Sequence, residues 1–230
     1  MFEDGLSYPL RGEWPKRTLI GGLLFMFSFL LLPVFPVLGY LIRVLKTTVG
    51  GEEEPPAFDD WGELFITGLV GSVIAVIYSI VPFVLFGGIA ALLGGVGGAV
   101  GGQGGSALAG LGVVTALLAI PVVFLVYYTV PAALTNYAIE GRFGAAFEFG
   151  SLKPVLLSSD YLIAVFLPLV VAVLLWIATS ILSITVIGLV LVPFLQFYGQ
   201  VAVFRMFGTA FQSVARTSPD AVSTTGVSPN

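Results

Sequence analysis

The sequence predicts an all-α integral membrane protein: a helix bundle of four to five transmembrane helices whose first segment is broken by proline. Three observations predict it. Hydrophobic residues make up 57% of the chain and charged residues 10%, where a soluble domain has about 45–50% and about 25%. Apolar runs of membrane-crossing length recur from residue 18 to about 211, and no polar domain interrupts them, so one domain is expected. A span needs about 20 apolar residues to cross about 30 Å of hydrocarbon. A backbone in lipid must satisfy its own hydrogen bonds, so these runs read as helices.

The N-terminus, residues 1–14, begins acidic, with Glu3 and Asp4, and contains Pro9. It lacks a short apolar stretch ending in a small-residue cleavage site, so no removed signal peptide is read there. The first apolar run covers 18–42. Pro33 and Pro36 each remove a backbone donor, so the helix is expected to kink or break there. It then either crosses as one kinked span or dips in and returns. The polar link 43–61 ends in Asp60-Trp61-Gly62-Glu63, which fits an N-terminal capping box with Asp60 as cap and Glu63 reaching back. Trp61 suits headgroup depth.

The second run, 64–93, is expected to bend near Pro82. Its Gly68 and Ser72 make a small-xxx-small face suited to close helix contact. A glycine-rich link without charge follows at 94–105. There Gly102-Gln103-Gly104-Gly105-Ser106-Ala107 loosely resembles a phosphate-binding glycine motif. That spacing needs a preceding strand within a βαβ unit, so the link reads as a flexible turn. The third run, 108–138, contains Pro121 and Pro131. The mixed segment 139–159 carries Phe143, Phe147 and Phe149 among charges and suits the interface. Ser158, Ser159 and Asp160 offer a cap for the fourth run, 161–182. A break near Ser183 makes the fourth and fifth (184 to about 211) an antiparallel pair. The domain reading is thus 1–17, a cytoplasmic N-terminal segment; 18–212, the helical transmembrane domain; and 213–230, a Ser/Thr/Pro-rich tail expected to be disordered. A weak internal echo pairs Pro36 with Tyr40, Pro131 with Tyr137 and Pro193 with Tyr198. Arg43, Arg142 and Arg205 follow in the same order, a pattern that chance similarity among apolar segments also produces.

Cytoplasmic loops carry the excess Lys and Arg. If the first run returns at its proline break, all nine basic residues fall on one side. If it crosses, Arg11, Lys16 and Arg17 are separated from the rest. The rule favours the returning version, and the turn must then be packed within protein to satisfy its backbone.

Cysteine and histidine are both absent. Thiol nucleophiles, thiolate metal sites and imidazole acid–base chemistry go with them. No HExxH, paired-acid motif or nucleophile elbow occurs. The expectation is a protein without enzymatic activity or cofactor. No broad basic patch points to nucleic acid, and no Lys/Arg cluster points to anionic lipid. The better leads are polar residues inside or beside apolar runs: Tyr40, Arg43, Asn136, Glu140, Gln196, Gln200 and Arg205. Joined, with Glu140 neutralising Arg205 or Arg43, they would form a polar cavity for a solute or headgroup. Kept apart, they would be inter-helix hydrogen bonds and interface snorkelling.

The segment Gly39-Tyr40-Leu41-Ile42-Arg43-Val44-Leu45, then glutamates, then Pro55-Pro56-Ala57-Phe58-Asp59-Asp60-Trp61-Gly62-Glu63-Leu64-Phe65 resembles an uncharacterised archaeal multi-pass membrane family. That family is a domain of unknown function common in halophiles. The resemblance runs from about residue 15 to 212 and implies no activity. The acidic balance, 13 Asp and Glu against 9 Lys and Arg, fits loops that stay hydrated in high salt. The expected role is therefore structural or interactive within the cell membrane. Its partners would be the lipid bilayer, other membrane proteins or a second copy. A small-solute transporter or channel component is the alternative.

Overall fold

The structure, a computed structural model, describes residues 2–217 and falls into two compact units. One contains 2–72 and 131–217 of the described residues; the other is 73–130. The described residues form helices and turns, with no strand among them.

The first unit begins with α1 (Phe2–Ser7), a tight turn at Tyr8–Leu10 and α2 (Trp14–Met26). Pro15 starts α2 where its missing N–H is no loss. The chain breaks at 27–33 and resumes as α3 (Val34–Val49), with Pro33 as its cap. At 13 and 16 residues, α2 and α3 measure about 20 and 24 Å, too short to cross about 30 Å of hydrocarbon. They fold back on each other. Tyr8 Oη donates to the Glu54 carbonyl at 3.1 Å, and an Arg11 guanidinium nitrogen donates to that of Glu53 at 3.0 Å. The segment before α2 and the link after α3 thus meet at one end of the unit, which is the returning arrangement.

The turn itself corrects one expectation, because it is not packed within protein. Phe29 is 74% and Leu31 71% exposed. The N–H groups of Leu30, Leu31 and Val34 donate to the carbonyls of Phe27, Ser28 and Leu31 at 3.0–3.1 Å. Tight local bonds satisfy these donors, so the apolar side chains can face hydrocarbon directly. The chain has no cysteine, so single-cysteine labelling tests this arrangement cleanly. In sealed vesicles, Glu3→Cys and Glu53→Cys should react with an impermeant maleimide from the same side, and Thr185→Cys from the other. Opposite-side reaction at positions 3 and 53 would make the first segment a span.

Helix α4 (Trp61–Pro82) starts as the sequence implies on one count and differs on another. Asp60 accepts the Glu63 N–H at 3.2 Å, so it caps the helix. Glu63 reaches not back to the cap but to Arg43, at 2.9 Å. The guanidinium offers a charge-assisted bond that a neutral N–H does not. A glycine seam brings α3 and α4 close. A side chain at Gly68 would collide with the Phe35 carbonyl and lie 2.8 Å from Gly39 N, and one at Gly39 would collide with the Leu64 carbonyl. The small-residue face at Gly68 is therefore used inside the chain. Ser72 bonds back to the Gly68 carbonyl at 2.8 Å.

Helix α6 (Gly102–Glu140) returns to the first unit and ends at Gly141, whose φ of 67° suits a residue without Cβ. A short turn (Phe143–Phe147), α7 (Phe149–Leu156), α8 (Ser159–Leu182) and α9 (Val186–Thr217) complete it. Ser158 caps α8, accepting the Tyr161 N–H at 3.1 Å. Since α9 continues to Thr217, the start of the expected tail is helical, and 218–230 lie outside the described residues. The core gathers Tyr8, Tyr40, Leu41, Val44, Leu64, Phe197 and Val201 from segments far apart in sequence.

The second unit corrects the glycine link. After Pro82 the helix widens into a π turn at Phe83–Gly87 and continues as α5 (Gly88–Val100). The turn is only Gly101-Gly102, with φ of 64° and 61°, and α6 begins at once. The segment 94–105 is thus helical apart from Gly101-Gly102, and two of its glycines, Gly97 and Gly105, permit close contact between α5 and α6. A Cβ on Gly97 would lie 2.6 Å from the Gly105 carbonyl and 2.7 Å from Ala109 N. Close backbone approach replaces hydrophobic drive in lipid. Five stretches are long and apolar enough to cross a membrane: Trp61–Ile80, Phe83–Val100, Gly102–Glu140, Tyr161–Leu182 and Val186–Val214. The expected run 64–93 thus appears as two of the five, and the broken first segment as none.

Candidate polar sites at the charged end of the bundle

Charge is confined along the chain: none occurs in 18–42, 64–139 or 161–204. The first unit folds the charged segments toward one end, but not into one cluster. The candidate residues divide among separate nodes, each tying a loop or a neighbouring helix.

At the first node, Tyr40 is 1% exposed. Its hydroxyl donates to the Pro56 carbonyl at 3.1 Å, and its ring stacks on Phe58 at 4.0 Å between centroids. One turn along α3, Arg43 donates to the carbonyls of Ala57 and Asp59 and pairs with the carboxylates of Asp59 and Glu63. The pair Tyr40 and Arg43 therefore clamps the 55–63 link against α3.

At the second node, Asn136 is 1% exposed. Its amide donates to the Ala145 carbonyl at 2.7 Å and to Ser151 Oγ at 3.1 Å. It pins the 143–147 turn and α7 to α6. Asn136→Leu removes both bonds and leaves the Ala145 carbonyl without this donor, at a cost of about 1–3 kcal/mol. Faster hydrogen exchange confined to 142–157 is the expected readout. Glu140 pairs with neither Arg43 nor Arg205, contrary to the joined arrangement. Arg142 takes it instead and also bonds Glu148 at 3.1 Å. The turn at Gly141 folds Arg142 back over the helix end, within reach of Glu140. Gln196, on α9, donates to Thr179 Oγ1 on α8 at 3.0 Å. Gln200 is half-buried one turn further and joins none of these nodes.

The third node was hidden in the sequence. Arg205, 9% exposed, donates to Asp4 at 3.0 Å, to the Glu52 carbonyl at 2.7 Å and to Thr48 at 3.4 Å. Its guanidinium sits 4.4 Å from the centre of the Tyr8 ring, a cation–π geometry. Asp4 bridges to Arg11 at 2.6 Å, Tyr198 donates to the Leu6 carbonyl, and Gly5 packs on Met206. Burial alone raises the Asp4 pKa, but its bonds to Arg11 and Arg205 outweigh that and hold it below the ordinary carboxylate value. Burial pushes the Tyr8 phenol up. Asp4, Tyr8, Arg11 and Thr48 escaped sequence reasoning because their partners lie up to 201 positions away.

Between α3, α4 and the end of α6 lies a cleft of about 180 Å³. Arg43, Lys46, Glu63, Thr67, Tyr137 and Gly141 line its polar part, and Ile42, Leu64 and Ala138 its apolar part. Of the seven candidate residues only Arg43 reaches it. Among the described residues no group of acidic, histidine or cysteine side chains is arranged to hold a metal ion.

The profile of the family described as Protein of unknown function (DUF4013) matches residues 22–184. No curated protein and no solved structure matches. The matched region runs from the middle of α2 to the turn between α8 and α9. It contains the first two nodes and every cleft residue, and leaves out Arg205 and the segment that Arg205 holds. The match takes in most of the chain, and the chain belongs to the DUF4013 family.

Proposed function

We propose that the protein is a non-enzymatic, multi-pass component of the cell membrane with a structural or interaction role. Its partners are lipid and other membrane proteins or further copies of itself, and its polar end faces the cytoplasm. The supporting observation is how the polar residues are used. Tyr40, Arg43, Asn136, Glu140, Gln196 and Arg205 each hold a loop, a turn or an adjacent helix. A transport pathway needs such groups facing a water-filled space. The acidic loops and the resemblance noted above support an archaeal, halophilic setting, where surface carboxylates remain hydrated.

The alternative, a small-solute transporter or channel component, draws on the cleft beside Arg43. Proteoliposome flux separates the two readings. With the full chain reconstituted, ion and small-solute permeability should stay at the level of empty vesicles, while cross-linking in native membranes should trap a complex of fixed stoichiometry. A solute-selective flux abolished by filling the cleft (Ala138→Phe) would overturn the proposal in favour of transport.

A further inference from the structure

The cleft between α3, α4 and the end of α6 combines features that the nodes lack. Its charged residues are not equivalent. Arg43 is already paired with Asp59 and Glu63, and Glu63 is held by Arg43 at 2.9 Å. Lys46, one turn along α3, is exposed and has no ion pair among the described residues. The hydroxyl residues Thr67 and Tyr137 line the same space, and Ile42, Leu64 and Ala138 supply an apolar wall. Along α4 the lining passes from Glu63 to Leu64, the point where the chain's uncharged stretch begins. Exposed Trp61 lies beside that boundary, and tryptophan favours the headgroup layer.

We propose that this cleft binds the phosphate of a phospholipid headgroup. Lys46 is the charge partner, the hydroxyls of Thr67 and Tyr137 are donors, and the start of an acyl chain lies against Ile42, Leu64 and Ala138. One cation without a carboxylate partner matches one negative charge, so the cleft suits a phosphodiester. A phosphomonoester would bring a second charge close to Glu63. The placement rests on the membrane reading, but not on whether the protein acts as an interaction component or a transporter.

The test is native mass spectrometry of the full chain in detergent, titrated separately with phosphatidylglycerol, phosphatidic acid, a neutral diacylglycerol and inorganic phosphate. Phosphatidylglycerol should bind, diacylglycerol should not, and phosphatidic acid should bind no more tightly than phosphatidylglycerol. Lys46→Gln changes an exposed side chain. It should weaken phosphatidylglycerol binding about fivefold, the effect of one lysine near an anionic surface, with the unfolding temperature unchanged. Ala138→Phe, which fills the apolar wall, should reduce lipid binding independently of charge. Equal phosphatidylglycerol binding by the parent and Lys46→Gln would overturn the proposal. So would tighter binding of phosphatidic acid, or inorganic phosphate competing at the lipid's own concentration. The last result would mark a soluble-anion site. None of these outcomes depends on the flux measurement, so the two proposals fail separately.

Discussion

Gly68→Leu should disrupt the protein more than any other single change considered. Any Cβ at this position meets the backbone of α3, at the Phe35 carbonyl and Gly39 N. Overpacking a core with added methylenes costs typically about 1–3 kcal/mol where side chains can give way. Here the obstacle is the main chain of another helix, so α3 and α4 must separate. Separation would also strain the Arg43 pair with Glu63 and open the core around Tyr40 and Leu64. The expected loss is about 3 kcal/mol or more, read as a fall in detergent unfolding temperature with early aggregation on size exclusion. Gly98→Ala is the matched control. Nothing lies within 4 Å of a Cβ there, and alanine is the better helix former by about 1 kcal/mol. A Gly68→Leu protein as stable as its parent would show that α3 and α4 do not cross at these glycines.

Arg205→Ala should release the N-terminal segment while leaving the rest of the bundle folded. It deletes the bonds to Asp4, the Glu52 carbonyl and Thr48 together with the stack on Tyr8. Breaking a fully buried ion pair costs roughly 3–5 kcal/mol. Asp4 is about one-third open to solvent and keeps Arg11, so about 2 kcal/mol is the better expectation. Trypsin cutting at Arg11, Lys16 and Arg17 should accelerate by at least tenfold, with little change at Lys153. Acid should act on the same latch. The Asp4 pKa is lowered in the folded chain, so its contribution is complete above the ordinary carboxylate value and is lost as pH falls through the lowered one. Protection factors over residues 2–11, taken relative to the intrinsic exchange rate at each pH, should therefore fall on acidification toward pH 3 in the parent, and much less in Asp4→Asn. An unchanged trypsin pattern in Arg205→Ala would mean that the α1 and Tyr8 packing holds the segment without the arginine.

The separate nodes explain why the polar residues were visible in the sequence while their arrangement was not. Asn136 and Glu140 are four apart on one helix, as are Gln196 and Gln200, and that spacing suggested shared faces and a common cavity. The fold gives each a different local partner. Glu140 takes Arg142 two residues on, Gln196 takes Thr179 across a tight antiparallel turn, and Asn136 takes a carbonyl nine residues ahead. A nearby partner costs less closure entropy than a distant one. Arg205, by contrast, takes its carboxylate partner from 201 positions away.

What the amino-acid sequence determined by itself was the solvent and the secondary structure. Too few charges for water and long apolar runs leave helices in lipid as the arrangement that satisfies every backbone group. Prolines and capping residues then marked most boundaries, such as Pro33 before α3, Asp60 before α4 and Ser158 before α8. Three things were decided only by tertiary structure. The first segment returns because its two ends bond to each other across more than 40 residues. The glycine segment 94–105 holds two helices together rather than forming a loop, because at Gly97 and Gly105 the facing backbone sits where a side chain would be. The polar residues pair off because the folded chain sets a separate partner beside each of them. Local pattern records what a residue can do in its own turn of helix, whereas hydrogen bonds and close backbone contacts between distant segments depend on which surfaces meet.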